Sequence, residues 1–492
     1  MRNNFGFSRP FHYICILFTR RQGRRQTAGQ AHTRMKIQLY KDQYGKTLKL
    51  AAPIMTAQLG MIVVQLVDNA MVGRLGALPL AAVSFGGTVF FLLFIFCLGI
   101  TMALTPLVGE RFARGRYRSA AAYFQNSLVL FTVIGILGVA VSLGVIPLLY
   151  RLGQPVEVVD MAIPYFKYLA WSILPIMIFG SFRQFLEGIG NTSINMVVII
   201  TSNLVNIFFN WLLIYGNWDF PAMGAAGAGL ATLISRIIAP IMSLAWLMAL
   251  PRFRRYFRYF RRENFSRRRM AAILKVGLPI SSQMFMEGSA FALTSIMMGW
   301  FGTIAIAGNQ IATVISNFAF MIVVGISSAT TIRVSHEYGR GNLKSLRRAG
   351  NASYHLTFIW NTFTALSFIL FREHIARIFT DDPEAIRIAG NLLIFVAAFQ
   401  FSDGLQSVSV GILRGIQDVK VIMRIAFVSY LVINLPIGYF CAFVLKAGPG
   451  GLWVGLILGL SIAAVLLATR FRKQYARLRQ QQIRRQHPGE AA

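Results

Sequence analysis

Charged residues are scarce in this chain of 492 residues. They account for 13% of the sequence, whereas 55% of the residues are hydrophobic and the mean hydropathy is +0.57. A soluble globular protein carries about 25% charged residues. The composition therefore excludes a water-soluble enzyme and indicates a chain that lies mostly within a lipid bilayer.

Acidic residues are much rarer than basic ones. Asp and Glu total 17 and Lys and Arg total 49, which gives a net charge of +32. In a soluble protein this excess would suggest a nucleic-acid partner. Here the Lys and Arg concentrate in alternate loops, and the loops 216–223 and 300–303 contain none. The charge therefore follows the positive-inside rule, which predicts that both termini are cytoplasmic and indicates no nucleic-acid partner.

Cysteine and histidine, the usual residues of disulfides and metal centres, number only 3 and 6. Cys15, Cys97 and Cys441 lack the spacing of a metal site and support no disulfide. The chain also lacks the Gly-x-x-x-x-Gly-Lys-Ser/Thr pattern of an ATP-binding loop. We therefore expect no cofactor and no ATP-driven reaction.

Long apolar stretches dominate what remains. Each can cross about 30 Å of hydrocarbon at about 1.5 Å per residue. They predict an all-α integral membrane protein with twelve transmembrane helices, and the loops are too short to hold a soluble catalytic domain. The stretches lie near 48–73, 79–108, 120–150, 160–182, 193–215, 224–250, 272–299, 304–334, 349–371, 388–413, 421–446 and 449–469.

The two halves of the chain resemble each other in one register, 226 residues apart. Chance identities between apolar segments are common, so the evidence for a repeat comes mainly from matching Pro, Gly, Lys and Arg. Each half holds six spans, an even number, so we expect two six-helix bundles related by a pseudo-twofold axis along the membrane normal. Matching pairs are Lys49 and Lys275, Pro53 and Pro279, Gly73 and Gly299, Thr105 and Thr331, Arg114 and Arg340, and Gly115 and Gly341.

The repeat predicts the domain boundaries. We expect an N-terminal bundle at 35–250, a basic cytoplasmic linker at 251–271 whose Arg lie on lipid headgroups, a C-terminal bundle at 272–470 and a basic cytoplasmic tail at 471–492. Residues 1–34 are rich in Arg, contain no acid and have only a short apolar run. We interpret them as an extension upstream of a start at Met35; a disordered tail or a targeting peptide is the alternative.

Three acids lie deep within the predicted spans: Asp68, Glu287 and Asp403. A charge at the bilayer centre costs on the order of 2.5–3.5 kcal/mol, and no basic residue is evident at the same depth, so we expect a proton or Na⁺ to compensate it. Amides nearby can supply oxygen ligands or simply join helices by hydrogen bonds. These amides are Gln65, Asn203, Asn206, Asn210, Gln283 and Gln400.

The motifs around these acids resemble those of the multidrug and toxic compound extrusion (MATE) transporters, and within them the bacterial multidrug/Na⁺ antiporters typified by NorM. The resemblance implies a cation site at Glu287 and Asp403, a first-span acid at Asp68, and export of cationic lipophilic compounds in exchange for Na⁺ or H⁺. One feature departs from the pattern, because Phe399-Gln400-Phe401 lacks the aromatic hydroxyl expected before Asp403. The motifs are Ala52-Pro53-Ile54, Val67-Asp68-Asn69-Ala70-Met71-Val72-Gly73, Gly277-Leu278-Pro279-Ile280 and Leu413-Arg414-Gly415-Ile416-Gln417-Asp418.

Four residues near Glu287 suit a pocket for organic cations: Met284, Phe285, Met286 and Phe291. At helical spacing they can equally be ordinary packing residues. The whole pattern predicts a secondary antiporter of the plasma membrane that works by alternating access as a monomer. Two alternatives remain open: a flippase for a lipid-linked saccharide, which needs fixed positive charge in its cleft, and a membrane-embedded enzyme acting on lipids.

Overall fold

A computed structural model describes the backbone of residues 10–486 and the side chains of residues 40–484. The described backbone is helical and contains no strand. Two compact units are distinguished, 1–46 and 47–492, and the helical bundle belongs to the second. The expectations for residues 1–34 concern side chains outside the described range and stay predictions.

Twelve long helices follow one another along the described chain. α2 has a short break at Met102–Ala103, and α11 runs from Val419 through two π-helical segments, Phe427–Asn434 and Phe440–Val444. The helices are α1 (Pro10–Gly73), α2 (Ala77–Thr101 and Leu104–Ala113), α3 (Tyr117–Leu149), α4 (Val156–Gly188), α5 (Ser193–Tyr215), α6 (Ala225–Ala249), α7 (Arg267–Gly299), α8 (Thr303–Arg340), α9 (Leu343–Leu370), α10 (Pro383–Gly415), α11 (Val419–Val444) and α12 (Pro449–Gln486).

Ten of these helices, within the described part of the chain, are long and apolar enough to cross a membrane. The other two, α7 and α9, have 33 and 28 residues and stand where the seventh and ninth spans are predicted. They are less apolar because α7 contains Gln283 and Glu287, and α9 begins near Lys344 and Arg347. The predicted all-helical membrane fold is confirmed.

The two halves pack their helices in the same pattern. α4 contacts α2, α3 and α6, and α10 contacts α8, α9 and α12, while α5 lies on α6 and α11 on α12. Single hydrogen bonds repeat as well: the Thr105 hydroxyl donates to the Gln184 carbonyl at 3.1 Å, and the Thr331 hydroxyl donates to the Gly411 carbonyl at 2.9 Å. The internal repeat seen in the sequence is therefore a structural repeat of two six-helix lobes.

Close helix crossings join the lobes. A Cβ atom on Gly99 of α2 would lie 2.5 Å from the Cα atom of Ser281 on α7, so only glycine fits there. The equivalent crossing places Gly325 of α8 against Met55 of α1. Both crossings lie toward the ends of the helices that the charge distribution predicts to be cytoplasmic. The crossing at Gly99 holds α7, the helix that carries Glu287, against α2 of the first lobe.

The basic segment between the lobes forms a short helix, Pro251–Phe257, and a 3-10 turn, Arg262–Asn264. Its aromatic side chains pack against the first lobe: Tyr256 is buried and meets Phe185 edge to face at 5.2 Å. Its Arg side chains at 252, 254 and 255 are exposed. This division explains why aromatics and Arg alternate in the segment.

Candidate functional site

The second lobe brings two of the membrane acids together. Glu287 of α7 and Asp403 of α10 are close enough to interact electrostatically, and Asp403 is only 5% exposed. The Gln283 amide, one turn before Glu287, donates to its carboxylate at 2.6 Å. Among the described residues, one carboxylate oxygen of Asp403 is buried and has no hydrogen-bond partner. A buried acceptor without a partner costs about 1–3 kcal/mol, so this oxygen is suited to hold a ligand.

A tyrosine that the sequence did not single out completes this cluster. Tyr430 of α11 is fully buried, and its phenol interacts with both Glu287 and Asp403. By hydrogen-bond geometry its hydroxyl has no partner within the described structure. Tyr430 lies in the π-helical segment of α11, and π-helical turns are frequent at functional sites. The aromatic hydroxyl missing at Phe399-Gln400-Phe401 is thus supplied by another helix.

A signal for Tyr430 was present in the repeat. With a one-residue slip, Ser202 and Asn203 of α5 align with Ser429 and Tyr430 of α11. Asn203 is a polar candidate, and its counterpart Tyr430 lies at the same position of the second lobe. The π-helical register that turns Tyr430 toward the acids is not visible in the sequence.

The expectation that no basic residue lies near the acids is wrong. The Arg414 guanidinium, at the end of α10, donates to the Gln283 side-chain oxygen at 2.7 Å and interacts electrostatically with Glu287. A loop position was expected for Arg414 because α10 was predicted to end at residue 413. The long side chain instead extends back into the lobe, so Glu287 has a cation nearby and Asp403 has none that the structure records.

Gln400 lies about one turn before Asp403 on α10 and makes its hydrogen bonds to α9. Its side-chain oxygen accepts a hydrogen bond from the Thr364 hydroxyl at 2.6 Å, and its backbone carbonyl accepts one from the Asn361 amide at 2.6 Å. Both donors belong to α9. Gln400 therefore joins α10 to α9, while its buried side-chain nitrogen has no partner among the described residues, so its place in the polar cavity stays a prediction.

The first lobe centres its polar residues on Asp68. The Asn210 amide donates to the Asp68 carboxylate at 2.5 Å and also to the Asn206 side chain at 3.2 Å. Asn206 and Asn210, four residues apart on α5, therefore share one polar face toward Asp68. Gln65 is exposed, and the Asn203 amide nitrogen has no partner among the described residues, so neither of these amides joins the Asp68 network.

A fixed cation also lies beside Asp68. Arg236 of α6 interacts electrostatically with Asp68 and donates to the Ser172 hydroxyl at 2.6 Å. Its guanidinium lies over the rings of Phe90 and Phe94, 5.3 and 5.2 Å from their centroids. Such stacking stabilises a cation in an apolar environment. In this lobe the acid is balanced by hydrogen bonds and by a built-in positive charge.

A cavity of about 210 Å³ lies among α2, α7, α8 and α12, with walls that include Phe91, Phe291 and Trp453. Of the four residues proposed for substrate contact, only Phe291 lines this cavity. Phe285 instead packs edge to face on Phe96 at 6.3 Å, and Met284 and Met286 pack against apolar clusters. Phe285 is nevertheless 41% exposed, and contact of any of these three residues with a substrate stays a prediction.

Comparison with known proteins identifies the family. The MatE family model matches the chain twice, over residues 53–212 and 279–440. This chain belongs to the MatE family. It is therefore a multi-pass membrane transporter of the multidrug and toxic compound extrusion type and not an enzyme. The two matched segments begin at Pro53 and Pro279, in the same register as the internal repeat.

Individual MatE proteins are similar over nearly the whole chain. A probable multidrug resistance protein NorM of Idiomarina loihiensis is 31% identical, covering 91% of this chain and 97% of its own length. Another from Bacillus subtilis is 30% identical, covering 90% and 98%. A solved structure of an outward-facing multidrug resistance MATE family transporter superposes with a TM-score of 0.82, at 21% identity, covering 89% of this chain and 97% of that one.

Proposed function

We propose that this MatE protein is a multidrug antiporter of the plasma membrane, which exports cationic lipophilic compounds in exchange for inward-moving Na⁺ or H⁺. The observation that carries the proposal is the pair of buried oxygens without partners, on Asp403 and Tyr430, beside Glu287. Two carboxylates and a phenol are the hard oxygen ligands that Na⁺ prefers, and either carboxylate can instead take a proton. The multidrug resistance names of the NorM relatives support the same substrate class.

The coupling ion occupies the space among Glu287, Asp403 and Tyr430. Gln283 holds Glu287 by one hydrogen bond and is itself held by Arg414, so one end of the site is fixed. Asp403 and Tyr430 supply buried oxygens that have no hydrogen-bond partner among the described residues, so these oxygens are available to an ion. Ion and organic cation compete for the same negative field, so entry of one favours release of the other.

Movement of α7 links the ion site to the lobe interface. Glu287 lies less than two turns from Ser281, whose hydroxyl donates to the Phe96 carbonyl of α2 at 2.5 Å. A change in α7 therefore reaches α2 of the other lobe directly. We propose that the lobes 35–250 and 272–470 rock about this contact, with the segment 251–271 as the cytoplasmic connection, in a functional monomer with both termini cytoplasmic.

The first lobe has a different task in this scheme. Because Arg236 and Asn210 already balance Asp68, this acid is less available to an inward-moving ion than Asp403 is. We propose that Asp68 shapes the cleft electrostatically and that the coupling ion binds in the second lobe.

A flippase for a lipid-linked saccharide is the second candidate, and the two buried Arg residues are the observation in its favour. A pyrophosphate headgroup needs fixed positive charge that is free to bind it. Arg414 is engaged with Gln283 and Glu287, and Arg236 is engaged with Ser172 and Asp68. Their charge is already balanced, which favours the antiporter.

Proteoliposomes test the proposal. Transport of a fluorescent organic cation is measured under a Na⁺ gradient, under a pH gradient and under neither. We expect one gradient to drive the dye, and thereby to identify the ion, and Asp403→Asn to abolish the response. Asp381→Asn, the same change on an exposed loop acid, is the matched control and should respond like wild type. Dye movement that is equal in all three conditions would contradict the antiporter and would direct the next test to lipid-linked substrates.

A further inference from the structure

A second cavity, of about 360 Å³, lies well away from the acids, at the ends of the helices that are predicted to be cytoplasmic. Both lobes contribute to it. The first lobe supplies the end of α2 and the beginning of α3, and the second supplies the beginning of α7 and the turn into α11. Its lining residues are Leu107, Arg111, Tyr123, Ala272, Lys275, Val276, Gln417, Asp418, Val419 and Lys420.

The charge in this cavity is positive and largely uncompensated. Of its three basic residues, Arg111 is paired with Glu110 at 2.6 Å. Lys275 and Lys420 are exposed and form no ion pair with any carboxylate of the described side chains. The acid of the lining, Asp418, is bound by Arg470 at 2.7 Å. Two lysines from different elements therefore line a common space without a carboxylate partner of their own.

The cavity also offers further hydrogen-bond donors besides the two lysines. The Arg111 guanidinium stacks on the Tyr123 ring at 4.7 Å and donates to its hydroxyl at 3.3 Å, so the position of both groups is set. α11 begins at Val419 on the cavity wall, and no side chain caps its first N–H groups. Free N–H groups at a helix start favour anions, and here they add to the lysines.

The structural repeat shows that the fold does not require this charge. In the same register, Arg111 corresponds to Glu337, and with the one-residue slip Lys420 corresponds to Ser193. Only Lys275 has a basic counterpart, Lys49. The pseudo-equivalent place on the other side of the molecule therefore lacks the cluster. A general excess of cytoplasmic Lys and Arg would place basic residues at both the cavity and its pseudo-equivalent. Since only the cavity has three of them, the cluster indicates a specific ligand.

We propose that this cavity binds a phosphate group, supplied by an anionic lipid headgroup or by free phosphate, between Lys275 of α7 and Lys420 of α11. Basic pockets between helices at the cytoplasmic surface are suited to such headgroups. Because Arg111 and Tyr123 come from the first lobe, the bound phosphate joins the two lobes at this face. The site is separate from the proposed ion site and does not depend on the coupling ion.

Binding measurements on the purified full-length protein test the site. Soluble short-chain phosphatidylglycerol, short-chain phosphatidylcholine and inorganic phosphate are titrated separately, with tryptophan fluorescence and the thermal midpoint as readouts. Each lysine near a phosphate contributes on the order of 1 kcal/mol, so Lys275→Gln/Lys420→Gln should bind phosphatidylglycerol about 25-fold more weakly than wild type. Lys275→Arg/Lys420→Arg, which keeps both charges, should retain binding and also controls for folding.

Lys49→Gln is the matched control, because it removes one charge at the pseudo-equivalent position. It should bind like wild type. Binding of phosphatidylglycerol alone supports a lipid headgroup, whereas binding of inorganic phosphate as well supports a site for phosphate from either source. The single variants Lys275→Gln and Lys420→Gln are measured beside Lys49→Gln. If Lys49→Gln weakens the binding of phosphatidylglycerol as much as either of them does, the proposal is overturned, because the lipid would then be attracted by the whole basic surface. Wild-type binding by the double Gln variant would overturn it too.

Discussion

The two lobes of this MatE transporter share their helix packing but not their polar centres. Gly99 and Gly325 make equivalent crossings, and Thr105 and Thr331 make equivalent hydrogen bonds. At the centre, however, the first lobe holds one acid balanced by Asn210 and Arg236. The second holds two acids and a tyrosine, and an oxygen of Asp403 and the hydroxyl of Tyr430 have no hydrogen-bond partner in the described structure. The repeated backbone gives both lobes the same scaffold. Their buried polar residues differ, and this difference makes the second lobe the candidate for ion binding.

Loss of the Glu287 carboxylate should have the largest effect on transport, because it removes an acid that only the second lobe holds at this position. We expect Glu287→Gln to reduce gradient-driven transport at least about 100-fold, since a ligand charge is removed from a buried site. The residue in the same register of the first lobe is Met61, which is 39% exposed. Met61→Gln adds the same side chain there and should transport normally. Transport rates in proteoliposomes measure both, and equal losses would show that the lobes contribute alike.

The two glycine crossings differ in what a methyl group would meet. At Gly99 it would meet the backbone of Ser281, which cannot move aside, whereas at Gly325 the closest atom belongs to the flexible Met55 side chain. Overpacking of a core costs about 1–3 kcal/mol, so Gly99→Ala should lower the free energy of unfolding by about that amount, and Gly325→Ala by less. Thermal midpoints in detergent compare the two. A larger loss for Gly325→Ala would mean that the crossings are not packed as described.

Removal of one hydroxyl tests the missed ligand. Tyr430→Phe keeps the ring and the packing, and should raise the concentration of coupling ion needed for half-maximal transport about tenfold, because a bond to a charged group is lost. Tyr439→Phe, on the exposed side of the same helix, serves as control. An unchanged ion dependence in Tyr430→Phe would remove Tyr430 from the site.

The smallest expected effects concern the repeated threonines. Thr331→Val loses side-chain hydrogen bonds within the second lobe and should cost about 1 kcal/mol of stability. Thr105→Val should cost more, because the Thr105 hydroxyl also lies 2.5 Å from the Gln184 side-chain oxygen, which would lose its partner. Denaturation midpoints of the two variants give the comparison, and the reverse order would contradict it.

Much of this architecture could be predicted from sequence, because helix length, apolarity and the repeat are local or periodic properties. Glu287 and Asp403 could be chosen because acids are rare inside membranes. Arg414 could not be placed, because its depth depends on where α10 ends and on how its long side chain turns. Tyr430 could not be chosen because a π-helical segment sets its direction, and the hydrogen bonds of Gln400 could not be predicted because its partners lie on α9.

The central claim is that the coupling ion binds in the second lobe. Its most direct test compares Asp68→Asn with Asp403→Asn in the same proteoliposome preparation, by the ratio of dye transport with the effective gradient to transport without it. The account predicts a ratio of about one for Asp403→Asn and a ratio well above one for Asp68→Asn. A gradient response that survives in Asp403→Asn and disappears in Asp68→Asn would place the ion in the first lobe and contradict the account.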